Sequence, residues 1–228
     1  MLSTSMLGSG WIGGATYDDS HAYILDVTSG ATLLSIPFGH SVDALAMVLG
    51  KSREVSAHVE NLCPEVTHVT SGAVAAKTAE DQIAVTGVLE SGAVAALHFR
   101  SGTSRVTAFH WEINGTEGDL VVKADQALWF QGRLRLYGAR GEDGALAELP
   151  VPARYQRSLT QWTERSAEPA CNVAHEYALL RDQITGSLAP DEDGVPDFWH
   201  AVRRHGMLEK IREAARTGRK VTLAEQGS

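Results

Sequence analysis

Apolar and polar positions change period several times along the chain, and each change marks an element. From about Pro37 to Leu49, the residues Phe38, Val42, Leu45, Ala46 and Leu49 recur at helical spacing and form one apolar face. Pro37 suits a first-turn position, where its missing N–H costs nothing, and Gly50 suits the residue just past the helix end. His40 and Asp43 are three apart, so they are surface neighbours away from the Phe38 ridge.

Beyond this helix the period shortens toward two. Glu54 to Leu62 alternates loosely, and Thr67 to Thr78 reads as a loop or an irregular edge. Two β-prone runs, 82–90 and 93–100, flank Ser91-Gly92 and predict a hairpin. Val106 to Asn114 follows as a strand with Thr107, Phe109, Trp111 and Ile113 on one face. The segments 119–123, 127–131 and 133–137 continue the meander, with a short strand at 147–151. Neighbouring strands joined by such short turns are antiparallel.

Helical spacing returns near the end. Asn172 is placed to cap a helix running to about Thr185, with Val173, Tyr177, Leu180 and Ile184 on one stripe and Gly186 beyond. A last helix runs from Pro196 to about Thr217, with Phe198, Val202, Leu208, Ile211 and Ala215 inward. Asp197 complements its N-terminal dipole end, and Val221 to Leu223 predicts a closing strand. Helix, a run of strands, then helices make an α+β layout: an open, mostly antiparallel sheet with helices on one face.

The first thirty residues are glycine-rich. Gly8 to Gly13 matches G-x-G-x-x-G, but no helical period follows it and no βαβ unit develops, so the stretch reads as a loop and not as a dinucleotide cradle. Asp18, Asp19 and His21 read as a solvated turn, and no metal site is assigned.

Composition narrows the function. At 228 residues, 43% hydrophobic and 21% charged, the chain is long enough to bury a core. A net charge of −8 excludes a general nucleic-acid binder, which needs a basic footprint. Cys63 and Cys171 belong to no Cys-x-x-Cys pair, and neither a signal peptide nor a run of membrane-spanning length is present, which predicts a cytoplasmic protein.

Four stretches carry a resemblance in chain order: 33–43 (Leu-Leu-Ser-Ile-Pro-Phe-Gly-His-Ser-Val-Asp), 113–120, 196–205 and 215–221. Together they resemble the C-terminal domain of the Gfo/Idh/MocA oxidoreductases, closest to the galactose-pathway repressor-like branch. The resemblance spans nearly all of 1–228 as one substrate-binding and oligomerisation domain, with 1–30 as its glycine-rich lead. It implies NAD(P) for the full-length family and a small sugar or cyclitol ligand. It also implies a homo-oligomer through the open sheet face, and a protein partner or separate Rossmann domain. His40 is then the candidate catalytic and substrate-binding residue, and Asp43 its orienting substrate-binding neighbour; no cofactor-binding residue is assigned.

Two departures bear on chemistry. These residues contain no counterpart of the family's Rossmann domain or its Glu-Lys-Pro lysine. Active members carry an Asp four residues before the helix histidine, and here that position is Ile36. A carboxylate there would help a histidine move a hydroxyl proton. Ile36 therefore favours the alternative that the resemblance carries, a non-catalytic regulatory or protein-binding module. Among the other residues, His98, His110, His200 and His205 read as structural, Tyr177 as core, and Trp111, Trp129, Phe130 and Trp162 as packing.

Overall fold

The computed structural model describes residues 2–11, 14–102, 105, 108–126, 134–152, 167–188 and 194–223. In chain order the elements begin with β1 (Ser3–Trp11), β2 (Thr16–Tyr17), 3₁₀ turns at Asp19–Leu25 and Val27–Ser29, a π turn (Leu34–Phe38) and α1 (Gly39–Leu49). The strands β3 (Ser52–Glu60), β4 (Glu65–His68), β5 (Val74–Ala76), β6 (Gln82–Leu89), β7 (Val94–Ser101) and β8 (Phe109–Asn114) follow. After these come β9 (Gly118–Ala124), β10 (Leu134–Arg140), β11 (Ala147–Leu149), α2 (Ala167–Thr185), α3 (Phe198–Thr217) and β12 (Val221–Thr222).

The fold is α+β. Nine strands form one open sheet in the order β11-β10-β9-β8-β1-β7-β6-β3-β12, and β2-β4-β5 form a small second sheet. Every pair in the large sheet is antiparallel except β1 with β7. The hairpin between β6 and β7 turns at Gly92, whose φ of 83° suits glycine, and Gly92 N–H donates to the Leu89 carbonyl at 2.9 Å. The stretch expected as a loop or irregular edge, 67–78, supplies parts of β4 and β5. The expected strand at 127–131 lies outside the described residues, as do Trp129, Phe130 and Trp162.

One face of the large sheet is apolar and covered. Phe38, Val42 and Leu45 from the α1 side and Met207, Leu208, Ile211 and Ala214 of α3 bury against Val55, Ile83, Val85, Leu97 and Phe99. Phe38 meets Phe99 edge to face with ring centroids 5.2 Å apart. On the same face Trp111 is buried, and its indole N–H donates to Thr4 Oγ1 at 2.8 Å. Among the described residues, no helix is long and apolar enough to cross a membrane.

Four expectations are corrected. Residues 8–11 are strand, not loop: β1 is the fifth of nine strands, and Gly8 is required because a Cβ there would lie 2.2 Å from the Phe99 ring. Pro37 does not open α1 but sits inside the π turn, where Phe38 N–H reaches back to the Leu33 carbonyl at 3.1 Å and the proline needs no donor. Asn172 is not a cap, since α2 begins at Ala167. The stripe Val173, Tyr177, Leu180 and Ile184 stays exposed, and Phe198 (91% exposed) and Val202 are exposed as well. Only the C-terminal part of α3 reaches the sheet, so Met207 and Ala214 fill the places those residues were expected to take.

Candidate functional site

The N-terminal end of α1 is held by a set of local bonds. Thr32 N–H donates to Ser35 Oγ at 2.9 Å and Ser35 N–H to Thr32 Oγ1 at 3.3 Å, a reciprocal cap around the π turn. The buried Glu80 carboxylate accepts Leu34 N–H at 2.9 Å. Ser41 Oγ donates to the Pro37 carbonyl at 2.7 Å, satisfying an acceptor at the turn-to-helix junction. These bonds fix the first turn of α1, where His40 stands at the surface.

His40 and Asp43 share that helix end but have different surroundings. Partial burial of the His40 ring lowers its pKa below the ordinary imidazole value, and the Asp43 charge opposes this only in part. At neutral pH the ring is therefore neutral, able to accept or donate one hydrogen bond. The Asp43 carboxylate turns to α3: Oδ1 accepts from His200 Nε2 and from Arg204 Nε, both at 2.7 Å. Arg204 Nη1 also reaches the Met207 sulfur at 3.2 Å, and Asp197 caps α3 by accepting His200 N–H at 2.7 Å. The arrangement is a tether between α1 and α3 beside the His40 ring. Its effect on His40 is electrostatic.

His200 and Arg204 were not anticipated as partners of Asp43. One signal was present: they are four apart on one helix and so share a face. Ile36, at the position where a carboxylate would assist His40, is partly buried against the core. Asp18 does form a capped turn, accepting His21 N–H at 3.1 Å, and no group of three or more metal-ligating side chains occurs among the described residues.

Residues 1–124 match the family model described as Gal80p, C-terminal domain. The galactose/lactose metabolism regulatory protein GAL80 of Kluyveromyces lactis is 30% identical over 138 residues, covering 56% of this chain and 30% of that protein. Its Saccharomyces cerevisiae counterpart is 31% identical over 150 residues, covering 60% and 34%. The chain thus spans about a third of the length of these curated relatives. A crystal structure of a super-repressor mutant of Gal80p from Saccharomyces cerevisiae superposes with a TM-score of 0.81 at 20% identity, over 96% of this chain and 57% of that one. Levoglucosan dehydrogenase in complex with NADH and L-sorbose gives a TM-score of 0.72 at 16% identity, over 98% and 58%. At such identities these two likenesses concern the fold alone.

Proposed function

Since the chain belongs to the family of the Gal80p C-terminal domain, we propose that it is a non-catalytic regulatory domain. In this reading it keeps the fold of an NAD(P)-linked sugar oxidoreductase and uses its surfaces to bind a protein partner and a small sugar-like ligand. The observation that carries the reading is the engagement of Asp43. Its Oδ1 already accepts from His200 and Arg204, and Ile36 occupies the other position from which a carboxylate would assist His40. A carboxylate already held by a guanidinium and a second imidazole is poorly placed to relay a proton for His40, so the pair is better suited to binding a hydroxyl than to driving its oxidation. The acidic balance of the chain suits a protein partner rather than DNA, and we read the protein as cytoplasmic.

A second reading is favoured by the lowered pKa of His40. A neutral imidazole at a helix mouth is the protonation state that a substrate-contacting base requires, which supports a substrate-binding half of an active dehydrogenase. In both readings the sheet face opposite α1 and α3 pairs two copies of the chain.

The test uses the full gene product that contains this domain. It is assayed at 340 nm with NAD+ or NADP+ and a panel of aldoses, anhydrosugars and cyclitols, beside His40→Ala. The regulatory reading expects no turnover and a ligand-induced rise in melting temperature that His40→Ala removes. Turnover that His40→Ala abolishes would transfer the assignment to the dehydrogenase reading.

A further inference from the structure

The helix-side face of the large sheet opens into a groove at its β11 end, away from the β3 and β12 end where α3 packs. Trp111 lies on that face, and its register partners Val122, Leu136 and Leu149 carry the face across to β11. Leu120 and Gly138 pair beside them on the same side, because residues two apart in a strand share a face. Burial falls off along the way. Val122 packs against the core, whereas Leu120 is 40% exposed.

The groove measures about 440 Å3 and lies over Gly138. A Cβ at Gly138 would stand 2.8 Å from Leu149 Cδ1 and 3.2 Å from Leu120 Cδ2, so the two leucine ends meet above the glycine and make an apolar floor. Gly118, opposite Arg140 in the ladder, has no side chain either, and a Cβ there would lie 2.3 Å from the Ala139 carbonyl oxygen. The head of the groove is therefore bare backbone, with charged side chains only around it.

Those charges are of both signs and only loosely engaged. Arg140 Nη2 lies 3.7 Å from Glu117 Oε2, beyond hydrogen-bond reach, and both side chains are fully accessible to a ligand at 84% and 85% exposure. Such a solvated pair contributes little by itself and opens easily. Asp143 Oδ2 accepts Arg140 N–H at 2.8 Å, and Gly141 N–H donates to the Glu117 carbonyl at 3.1 Å, which pins the turn after β10 against the turn before β9. One guanidinium and two carboxylates are thus fixed at the mouth of an apolar trough. Asp119 also borders the groove, but its carboxylate belongs to the opposite face, where it accepts from Asn114 Nδ2 at 3.1 Å.

An apolar trough of this volume with a few polar groups at one end has the make-up of a small-molecule site. The groups select its ligand. A simple anion would meet Glu117 and Asp143, a simple cation would meet Arg140, and a neutral apolar molecule would leave all three unused. We propose that this groove binds a free amino acid with an apolar or aromatic side chain. Its carboxylate takes the planar fork of Arg140, its ammonium sits between Glu117 and Asp143, and its side chain lies over Leu120 and Leu149. The site is separate from His40, which stands on α1 over the other end of the sheet, so it stands or falls independently of the function proposed above.

Saturation-transfer NMR titration of the full gene product tests this with L-phenylalanine, phenethylamine, hydrocinnamate and glycine. L-Phenylalanine is expected to bind with a Kd of about 1 mM or tighter. Phenethylamine and hydrocinnamate each lack one charged group and are expected to bind at least roughly fivefold more weakly; glycine, without an apolar side chain, should show no saturation. Arg140→Leu should weaken L-phenylalanine roughly tenfold and Leu149→Asp should abolish its binding. Arg140→Leu, at an exposed position, carries the test if far-UV circular dichroism shows Leu149→Asp unfolded. His40→Ala is expected to bind L-phenylalanine as wild type does. Absence of L-phenylalanine binding overturns the proposal, as does equal binding of either single-charge analogue or wild-type affinity in Arg140→Leu. Loss of binding in His40→Ala would place the ligand at α1 and overturn it as well.

Discussion

Replacing Asp81 by alanine is expected to cost far more than replacing its partner Lys77 by methionine, although the two form one ion pair of 3.0 Å. Both residues are buried, at 7% exposure for Lys77 and 4% for Asp81. Asp81 accepts Leu62 N–H and Cys63 N–H, each at 2.9 Å, besides the Lys77 ammonium. Asp81→Ala therefore leaves two backbone donors and one buried ammonium without their acceptor, at about 3–5 kcal/mol. Lys77 Nζ also donates to Asn61 Oδ1 at 2.8 Å and to the Ala79 carbonyl at 2.9 Å. Lys77→Met removes those bonds but leaves the Asp81 carboxylate with both backbone donors, at about 1–3 kcal/mol.

Urea unfolding followed by circular dichroism measures both variants and the double variant, which should cost less than the sum of the singles because the pair is coupled. Acid provides a second readout. Burial by itself would raise the Asp81 pKa, but the Leu62 N–H, the Lys77 ammonium and the Cys63 N–H together hold it below the ordinary carboxylate value. A depressed folded-state pKa stabilises the protein above the unfolded pKa of about 3.9, and that stabilisation is lost as pH falls through the folded value. Asp81→Ala should flatten stability in that acid window. A cost below about 1 kcal/mol, or strict additivity in the double variant, would refute this account of the network.

Gly8→Ala should destabilise by about 1–3 kcal/mol, because the added methyl lands 2.2 Å from the Phe99 ring in the core; thermal unfolding reads this as a lower Tm. His40 should titrate by NMR below about 6.5, and Asp43→Asn should lower its midpoint further by removing the opposing charge. A depressed histidine pKa stabilises above the unfolded value, so His40 should contribute a loss of stability as pH drops through about 6.5 toward its folded pKa, absent in His40→Ala. Asp43→Asn itself should cost only about 0.2–1 kcal/mol in urea unfolding, because the His200 and Arg204 pairs are partly exposed and screened by solvent.

The sequence disclosed those parts of the fold in which local chemistry and burial agree. Ser91-Gly92 between two β-prone runs marked its hairpin, and the stripe through Phe38, Val42 and Leu45 marked the buried side of α1. Periodicity misled wherever an apolar stripe finds no cover. Tyr177, Ile184 and Phe198 have the spacing of core residues yet remain exposed, because periodicity reports a face and not what lies against it. β1 was hidden by its glycines, which read as loop locally; Gly8 is explained only by an aromatic ring some ninety residues away in the chain. At the candidate site the spacing of His40 and Asp43 was visible. The direction of the Asp43 carboxylate depended on His200 and Arg204, a contact between distant segments that no local pattern encodes.

The place of β1 also sets an order of assembly. It is made before the strands that flank it: its two sheet neighbours are β7 and β8, so its backbone groups have no ladder until roughly a hundred further residues have been synthesised. Meanwhile the hairpin of β6 and β7 can close locally, leaving one edge of β7 as the template onto which β1 docks in parallel. The sheet is therefore completed by its earliest strand being inserted late, a closure between distant segments that makes the centre of the molecule, and not its rim, the slow step of folding.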